Sequence, residues 1–392
     1  MSFKQLAHGF DKLDLHSLPS PCYVVDEAKI EDNLRILHYV QEQSGAKILL
    51  ALKAFSMYSL APLVMKYLKG VCASGLNEAK LGREEFNGEV HSYAAAFRPQ
   101  EFAQIVELSD HVVFNSCSQW AHYREQALSY KNSKEKLSFG VRINPQHSEG
   151  ETPLYDPCAP CSRMGIRIED MAQLNFQGLS GLHFHTLCEH NFDPLARTLD
   201  AIEKNYGQYL HQVNWVNFGG GHHITREDYD REKLIHRIKA FRQKYNVEVY
   251  LEPGEAIALN AGVLVTEVLD TLHNSMDIAI IDASATCHMP DVLEMPYRPV
   301  LTGAADAGKK PYTYRLGGPS CLAGDVVGDY SFDRPLHAGD RFMFEDMAIY
   351  TMVKNTTFNG INLPAIVVWD STTQQTKSIK HFSYRDFKQR LS

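Results

Sequence analysis

The sequence predicts an α/β protein: a (β/α)8 barrel of the TIM type, followed by a second, antiparallel β domain. Three observations carry that prediction. Eight short apolar runs recur along the first part of the chain. Stretches with apolar residues at helical spacing lie between them. Beyond residue 262 the pattern gives way to short β-rich runs separated by turn residues.

The eight runs are 48–55 "ILLALKAF", 70–75 "GVCASG", 90–96 "VHSYAAA", 111–116 "HVVFNS", 138–144 "SFGVRIN", 179–186 "LSGLHFHT", 213–221 "VNWVNFGGG" and 247–254 "VEVYLEPG". A short continuous apolar run suits a strand buried on both faces, as in a parallel barrel. Helical spacing is clearest in 57–68 "MYSLAPLVMKYL", 76–86 "LNEAKLGREEF" and 231–245 "REKLIHRIKAFRQKY". The fifth connection, 145–178, is long. Eight alternations are the number this barrel requires. The barrel is expected over 27–262. Residues 263–392 form the second domain, with strands at 263–269 "VLVTEVL", 278–282 "IAIID", 342–344 "FMF", 349–353 "IYTMV" and 365–369 "AIVVW". "CYVVD" at 22–26 is a lone strand compatible with either domain. It is grouped here, with all of 1–26, in the second.

The 392 residues suffice for one large domain and a smaller one. A net charge of −8 argues against a nucleic-acid or anionic-membrane partner and suits a cationic substrate. The opening "MSFKQLAHGFDKLD" lacks the apolar core of a signal peptide, and no segment reaches the roughly 18 apolar residues of a membrane span. Eight scattered cysteines read as reduced thiols of a cytoplasmic protein, not as a disulfide framework. Cys158 and Cys161 make a lone C-x-x-C. Without a second pair at close spacing it reads as a loop.

Barrels of this type carry their chemistry at the C-terminal ends of the strands. There the sequence puts Lys53, Ser74, the pair His183 and His185, Gly219, Gly220 and Gly221, and Glu252 with Gly254. Lys53 is expected buried at the end of the first strand and aimed at the mouth. An amine in an apolar pocket loses its proton more easily and becomes a nucleophile that forms Schiff bases. The ordinary alternative is a lysine that snorkels to solvent. Three glycines after the seventh strand allow close backbone approach and point N–H groups at a phosphate. A carboxylate at Glu252 can hold a substrate, a metal or a ring nitrogen. His183 and His185, two apart on one strand, project to the same side. They can ligate a metal, or one can stack on a flat ring. An amine, a phosphate cradle, a ring-stacking imidazole and a carboxylate at one mouth describe a pyridoxal phosphate site.

These motifs resemble a known family. "ALKAF", "SRMGI" at 162–166, "HFH", "NFGGGHH", "LEPGE", "GPSCLAGD" at 318–325 and "DMAIYT" at 346–351 are similar to the fold type III pyridoxal phosphate decarboxylases. This is the alanine racemase-like group that includes ornithine and diaminopimelate decarboxylases. The likeness runs from "SPCYVVDEAKIEDNL" to "EDMAIYT". "GPSCLAGD" and "HMPDVLEMPYRP" at 288–299 resemble the branch acting on carboxynorspermidine and carboxyspermidine.

The resemblance implies that Lys53 carries pyridoxal 5'-phosphate, His185 stacks on its ring, and Gly219, Gly220 and Gly221 hold its phosphate near Tyr350. It also implies that Glu252 pairs with the ring nitrogen. The family assembles as a head-to-tail homodimer with shared active sites, which implies that Cys321 comes from the other subunit to return a proton after carbon dioxide leaves. Ornithine and diaminopimelate decarboxylases have arginine after "EPG", whereas this chain has Glu255. An added anion suits a small-molecule amino-acid substrate with a polyamine tail, met by Glu255, Asp291 and Asp325. The family's racemases set arginine against the ring nitrogen, so Glu252 favours decarboxylation. A metal-dependent barrel hydrolase using His183 and His185 is the rival from another class. Its usual pair lies on the first strand, not the sixth.

Overall fold

A computed structural model describes residues 9–131, 134, 136–150 and 153–392. The chain divides into two compact units. One is Glu31–Ile257; the other combines the residues up to Ile30 with Ala258–Ser392.

The first unit holds a closed barrel of eight parallel strands, β2 to β9. They are β2 (Lys47–Ala51), β3 (Gly70–Ala73), β4 (Glu89–Tyr93), β5 (His111–Phe114), β6 (Ser138–Arg142), β7 (Leu179–His183), β8 (Trp215–Asn217) and β9 (Glu248–Leu251). β2 pairs with β9 to close the ring. Each expected strand is present, and each ends two to four residues earlier than its apolar run. Strand pairing runs up to His183 and Asn217, and Lys53, Ser74, His185, the glycine loop and Glu252 follow just beyond the strand ends. The interior is filled by large side chains, with Trp215, Tyr250, Leu49 and Val113 in one cluster. Trp215 fits because β6 and β7 carry glycine beneath it. A Cβ on Gly181 would lie 2.0 Å from its ring, and one on Gly140 would lie 2.4 Å away. Its indole N–H donates to Ser138 Oγ at 2.8 Å, so the polar end of a buried tryptophan is satisfied.

The second unit is built on one nine-stranded sheet. Its strands are β1 (Cys22–Asp26), β10 (Gly262–Asn274), β11 (Met276–Ile281), β12 (Ala305–Asp306), β13 (Tyr312–Gly317), β14 (Val326–Phe332), β15 (Arg341–Glu345), β16 (Ala365–Asp370) and β17 (Gln375–Lys380). Alternation places Cys22 and Val24 in one apolar cluster with Val263, Val265 and Trp369. Tyr23 and Leu264 enter another, with Tyr330 and Phe344. Both faces of the central strands are therefore buried.

Two expectations for this unit change. The sheet is mixed, because β1 runs parallel to β16 and β11 parallel to β13. The run 349–353 is not a strand. Tyr350 has φ +51° and ψ −47°, and Thr351–Lys354 form a helical turn. Periodicity does not separate so short an apolar run from a helical one. β12, β13, β14 and β17 were not anticipated.

Candidate active site

At the end of β2 the chain folds back on itself. Ala54 N and Phe55 N both donate to Ala51 O, and Lys53 lies in the turn they make. Leu52 and Ala54 are buried, but Lys53 is exposed. The expectation of a lysine buried in the strand is corrected here. The turn leaves Lys53 accessible while its buried neighbours anchor the backbone. Its charge reaches the site all the same, since Lys53 helps to depress both His183 and His185. Ala51 N donates to Pro253 O at 3.0 Å. A Cβ on Gly254 would lie 2.5 Å from that of Ala54, so Gly254 lets the loop after β9 close on the lysine turn.

Glu252 is fixed by two donors. His183 Nε2 lies 3.1 Å from Oε2, and Asn217 Nδ2 donates to Oε1 at 2.7 Å. Burial raises its pKa, but His183, His91 and the Asn217 amide outweigh that and hold the carboxyl down at about 2. Burial acts first on His183 and lowers it, against the pull of Glu252. At neutral pH the pair is therefore a carboxylate and a neutral imidazole.

The glycine loop does something other than expected. Gly219 N donates to Asn217 Oδ1 at 2.8 Å, and Gly220 N donates to His185 Nδ1 at 3.1 Å. Two of the three N–H groups assigned to phosphate are spent inside the fold. The glycines are needed for packing. A Cβ on Gly220 would meet Glu252 O at 2.1 Å, and one on Gly221 would meet Leu187 O at 1.8 Å. Gly219 and Gly221 also have φ of +69° and +81°. The bond from Gly220 orients His185, whose pKa burial pushes well below the usual range. It is a neutral ring with a fixed tautomer. Ser74 is exposed beyond β3, its N–H held by Glu78 at 2.6 Å.

Three residues were missed. Asn217 joins Glu252 to the glycine loop. The Arg142 guanidinium lies 4.8 Å over the Tyr93 ring and donates to His185 O at 2.8 Å. Tyr93 in turn stacks on His183 at 5.5 Å. A charged residue inside the apolar "FGVRI" was the available signal for Arg142, of the kind that drew attention to Lys53.

The expected acidic set stands differently. Glu255 is buried and accepts from His223 Nε2 at 2.9 Å. In the second unit, Asp291 accepts from Lys354, which also binds Glu294, each at 2.5 Å. Asp325 is buried and takes hydrogen bonds from Ser284 Oγ, Thr286 N and Ser320 N. Those donors tie it to its own loop. That loop exposes Cys321, whose N–H donates to Asn359 Oδ1 at 2.8 Å.

Among the described residues, the one group of three close metal-ligand side chains is Glu89, His91 and His111. It excludes His183 and His185. The His91 and His111 rings stack at 3.9 Å and 17°, and His91 Nε2 lies 3.1 Å from Glu89 Oε2. Lys47 already lies 3.5 Å from Glu89. This group reads as a core network.

An amine, a neutral ring face, an ionised carboxylate and a loop of tightly packed glycines suit pyridoxal phosphate. The family model for the pyridoxal-dependent decarboxylase C-terminal sheet domain matches residues 22–348. The chain belongs to the pyridoxal-dependent decarboxylases. As a member it uses pyridoxal phosphate and is a carboxy-lyase. It is 42% identical to a carboxynorspermidine/carboxyspermidine decarboxylase of Campylobacter jejuni, over 94% of this chain and 98% of the other. It is 44% identical to a carboxyaminopropylagmatine decarboxylase of Synechocystis, over 96% of each. The crystal structure of carboxynorspermidine decarboxylase from Campylobacter jejuni complexed with norspermidine superposes with a TM-score of 0.86. That match has 41% identity and covers 95% of this chain and all of that one. This decarboxylase therefore pairs the family barrel with the family sheet domain.

Proposed function

We propose that this decarboxylase removes the α-carboxylate of carboxynorspermidine and carboxyspermidine, giving norspermidine and spermidine in polyamine biosynthesis. The observation that carries this is the near full-length likeness to the Campylobacter jejuni enzyme, whose solved complex holds norspermidine. Glu255, in place of the arginine of the ornithine and diaminopimelate enzymes, supports a cationic tail over an acidic one.

Bound pyridoxal phosphate supplies an electron sink for the pair left behind as carbon dioxide departs. Lys53 holds the cofactor covalently through Nζ. Glu252, an anion at neutral pH, keeps a proton on the ring nitrogen. His185 packs its neutral ring against the cofactor, and Ser74, the glycine loop, Gly254 and Tyr350 complete its seat. Cys321 of the partner subunit returns a proton to the substrate carbon in a homodimer with shared sites. Exposure of the Cys321 loop supports that role. Glu255 and Asp291 take the tail ammonium groups by exchange with His223 and Lys354. Asp325 is left out of this set. A cytoplasmic location is the reading that eight scattered, unpaired cysteines support. Among the described residues, no helix is long and apolar enough to cross a membrane.

A second reading has a specific observation behind it. The Synechocystis relative is as similar, and its substrate ends in a guanidinium. Steady-state kcat/KM for carboxynorspermidine, carboxyspermidine, carboxyaminopropylagmatine, ornithine and diaminopimelate decides between them. The first two should lead by at least about tenfold, a difference of 1.4 kcal/mol in transition-state binding. A lead for carboxyaminopropylagmatine would replace the substrate, and a lead for ornithine or diaminopimelate would overturn the polyamine reading.

A further inference from the structure

We infer that His183 and Asn217 are positioning residues that hold Glu252 as an oriented anion, and that Asn217 couples that carboxylate to the glycine loop. The inference rests on the reading that Glu252 serves the ring nitrogen, and it deepens that reading.

The geometry is a chain of contacts. His183 reaches Oε2 of Glu252 and Asn217 Nδ2 reaches Oε1, so each oxygen has one donor and keeps a lone pair. The same Asn217 accepts from Gly219 N through Oδ1 at 2.8 Å. The next N–H, from Gly220, sets His185. A single amide thus links the carboxylate to the loop that orients the stacking imidazole. Neither end shifts without loading the other.

His183 is built for one job within this chain. It is 2% exposed, and its ring is held against Tyr93 at 5.5 Å and 20°. Tyr93 is fixed by a 2.7 Å bond to Asn115 Oδ1 and by the Arg142 guanidinium over its face. His183 Nδ1 is buried with no hydrogen-bond partner. The proton therefore sits on Nε2, which makes that atom a donor to Glu252. Burial keeps the imidazole neutral at neutral pH, with Arg142 and Lys53 adding to the effect of desolvation. Neutrality matters here. An imidazolium would cancel the charge that Glu252 offers, whereas a neutral N–H orients the carboxylate and leaves its charge intact. The unpaired Nδ1 is a cost of the kind found where function constrains a site.

The test uses protein loaded with cofactor labelled with nitrogen-15 in the ring. The ring-nitrogen chemical shift is read across pH, beside kcat and KM. His183→Phe keeps a ring on Tyr93 and removes the donor. The pH at which the ring nitrogen loses its proton should fall by about one unit, a tenfold change in that equilibrium. In the same variant kcat should fall by about tenfold or more with KM nearly unchanged, the sign of a lost transition-state interaction. His183→Gln restores a neutral donor and should recover most of both. Asn217→Asp keeps the acceptor for Gly219 but sets a second carboxylate against Oε1. It should loosen cofactor binding by at least about tenfold, since like charges at this distance disfavour both anions. A wild-type shift and pH profile in His183→Phe would overturn the inference, as would a His183→Gln no better than His183→Phe or an unaltered Asn217→Asp. Glu252→Gln is the separate control. If it leaves the nitrogen shift unchanged, the ring-nitrogen reading itself fails, whatever the other variants do.

Discussion

Asp325 gives the sharpest mutational contrast, because its two readings predict opposite results. Its carboxylate accepts from Ser284 Oγ at 2.9 Å, Thr286 N at 3.1 Å and Ser320 N at 3.3 Å. Ser284 is fully buried, and a Cβ on Gly318 would lie 2.4 Å from Asp325 Oδ2, so the loop is packed closely around this group. Hydrogen bonds to a charged group contribute about 1.5–3 kcal/mol each, and the 3.3 Å contact is the weakest. Asp325→Ala strands at least one buried donor. It should cost about 3–5 kcal/mol of loop stability, the range found when one partner of a buried charged network is removed. Asp325→Asn keeps the shape and one acceptor and should cost about 1–2 kcal/mol. Amide exchange across 284–325, read by mass spectrometry, reports this directly. Thr286 and Ser320 should exchange at least about a hundredfold faster in the alanine variant, since each 1.4 kcal/mol is a factor of ten in opening. The loop carries Cys321, so kcat should fall while cofactor attachment at Lys53 persists. A large rise in KM for the polyamine substrate, with exchange and kcat unchanged, would refute the structural role. It would make Asp325 a substrate contact.

Two further outcomes are expected. Burial holds His288 down at about 4 against its ordinary 6.5, while Ser284 N donates to its Nδ1 and leaves no room for a second proton. A depressed folded pKa means that the unfolded chain takes up the proton first. The stabilisation is complete above pH 6.5 and is lost as pH falls through 4, at most roughly 3 kcal/mol. Urea unfolding at a series of pH values should show this slope in the wild type and less of it in His288→Gln; equal slopes would exclude His288 as its source. Mixing Lys53→Ala with Cys321→Ala protein should restore activity at about a quarter of the sites, by pairing statistics in a twofold dimer. No recovery between exchanging subunits would place Cys321 in its own subunit's site.

The barrel was legible because its strands are short apolar runs and most connections carry helical spacing; the connection between β6 and β7 holds only short 3-10 turns and had no such signal. The site was legible where a residue was out of place in its run, as with Lys53 and Glu252. What escaped depended on pairing across the fold. Lys53 was expected to be buried because its neighbours are apolar. Only the bonds from Ala54 and Phe55 back to Ala51 reveal a turn that leaves it exposed. The glycines were legible as a close approach. That two of their N–H groups serve Asn217 and His185 is a matter of geometry between β7 and β8. Asn217 bonds Glu252 from a neighbouring strand, and no local pattern marks such an amide. In the second unit, "PYTYRLGG" mixes strand formers with Pro and Gly and hid β13. The parallel pairing of β1 with β16 joins the two ends of the chain and has no local signature.

The most direct test of the central claim is to find where the cofactor is attached. Purified protein loaded with pyridoxal phosphate is reduced with borohydride, digested and sequenced by tandem mass spectrometry. The reduced adduct should appear on one lysine, Lys53, in the peptide containing "ALKAF", and Lys53→Ala protein should carry none. An adduct on another lysine, or an active protein with no adduct at Lys53, would contradict the assignment of this barrel mouth as the decarboxylase site.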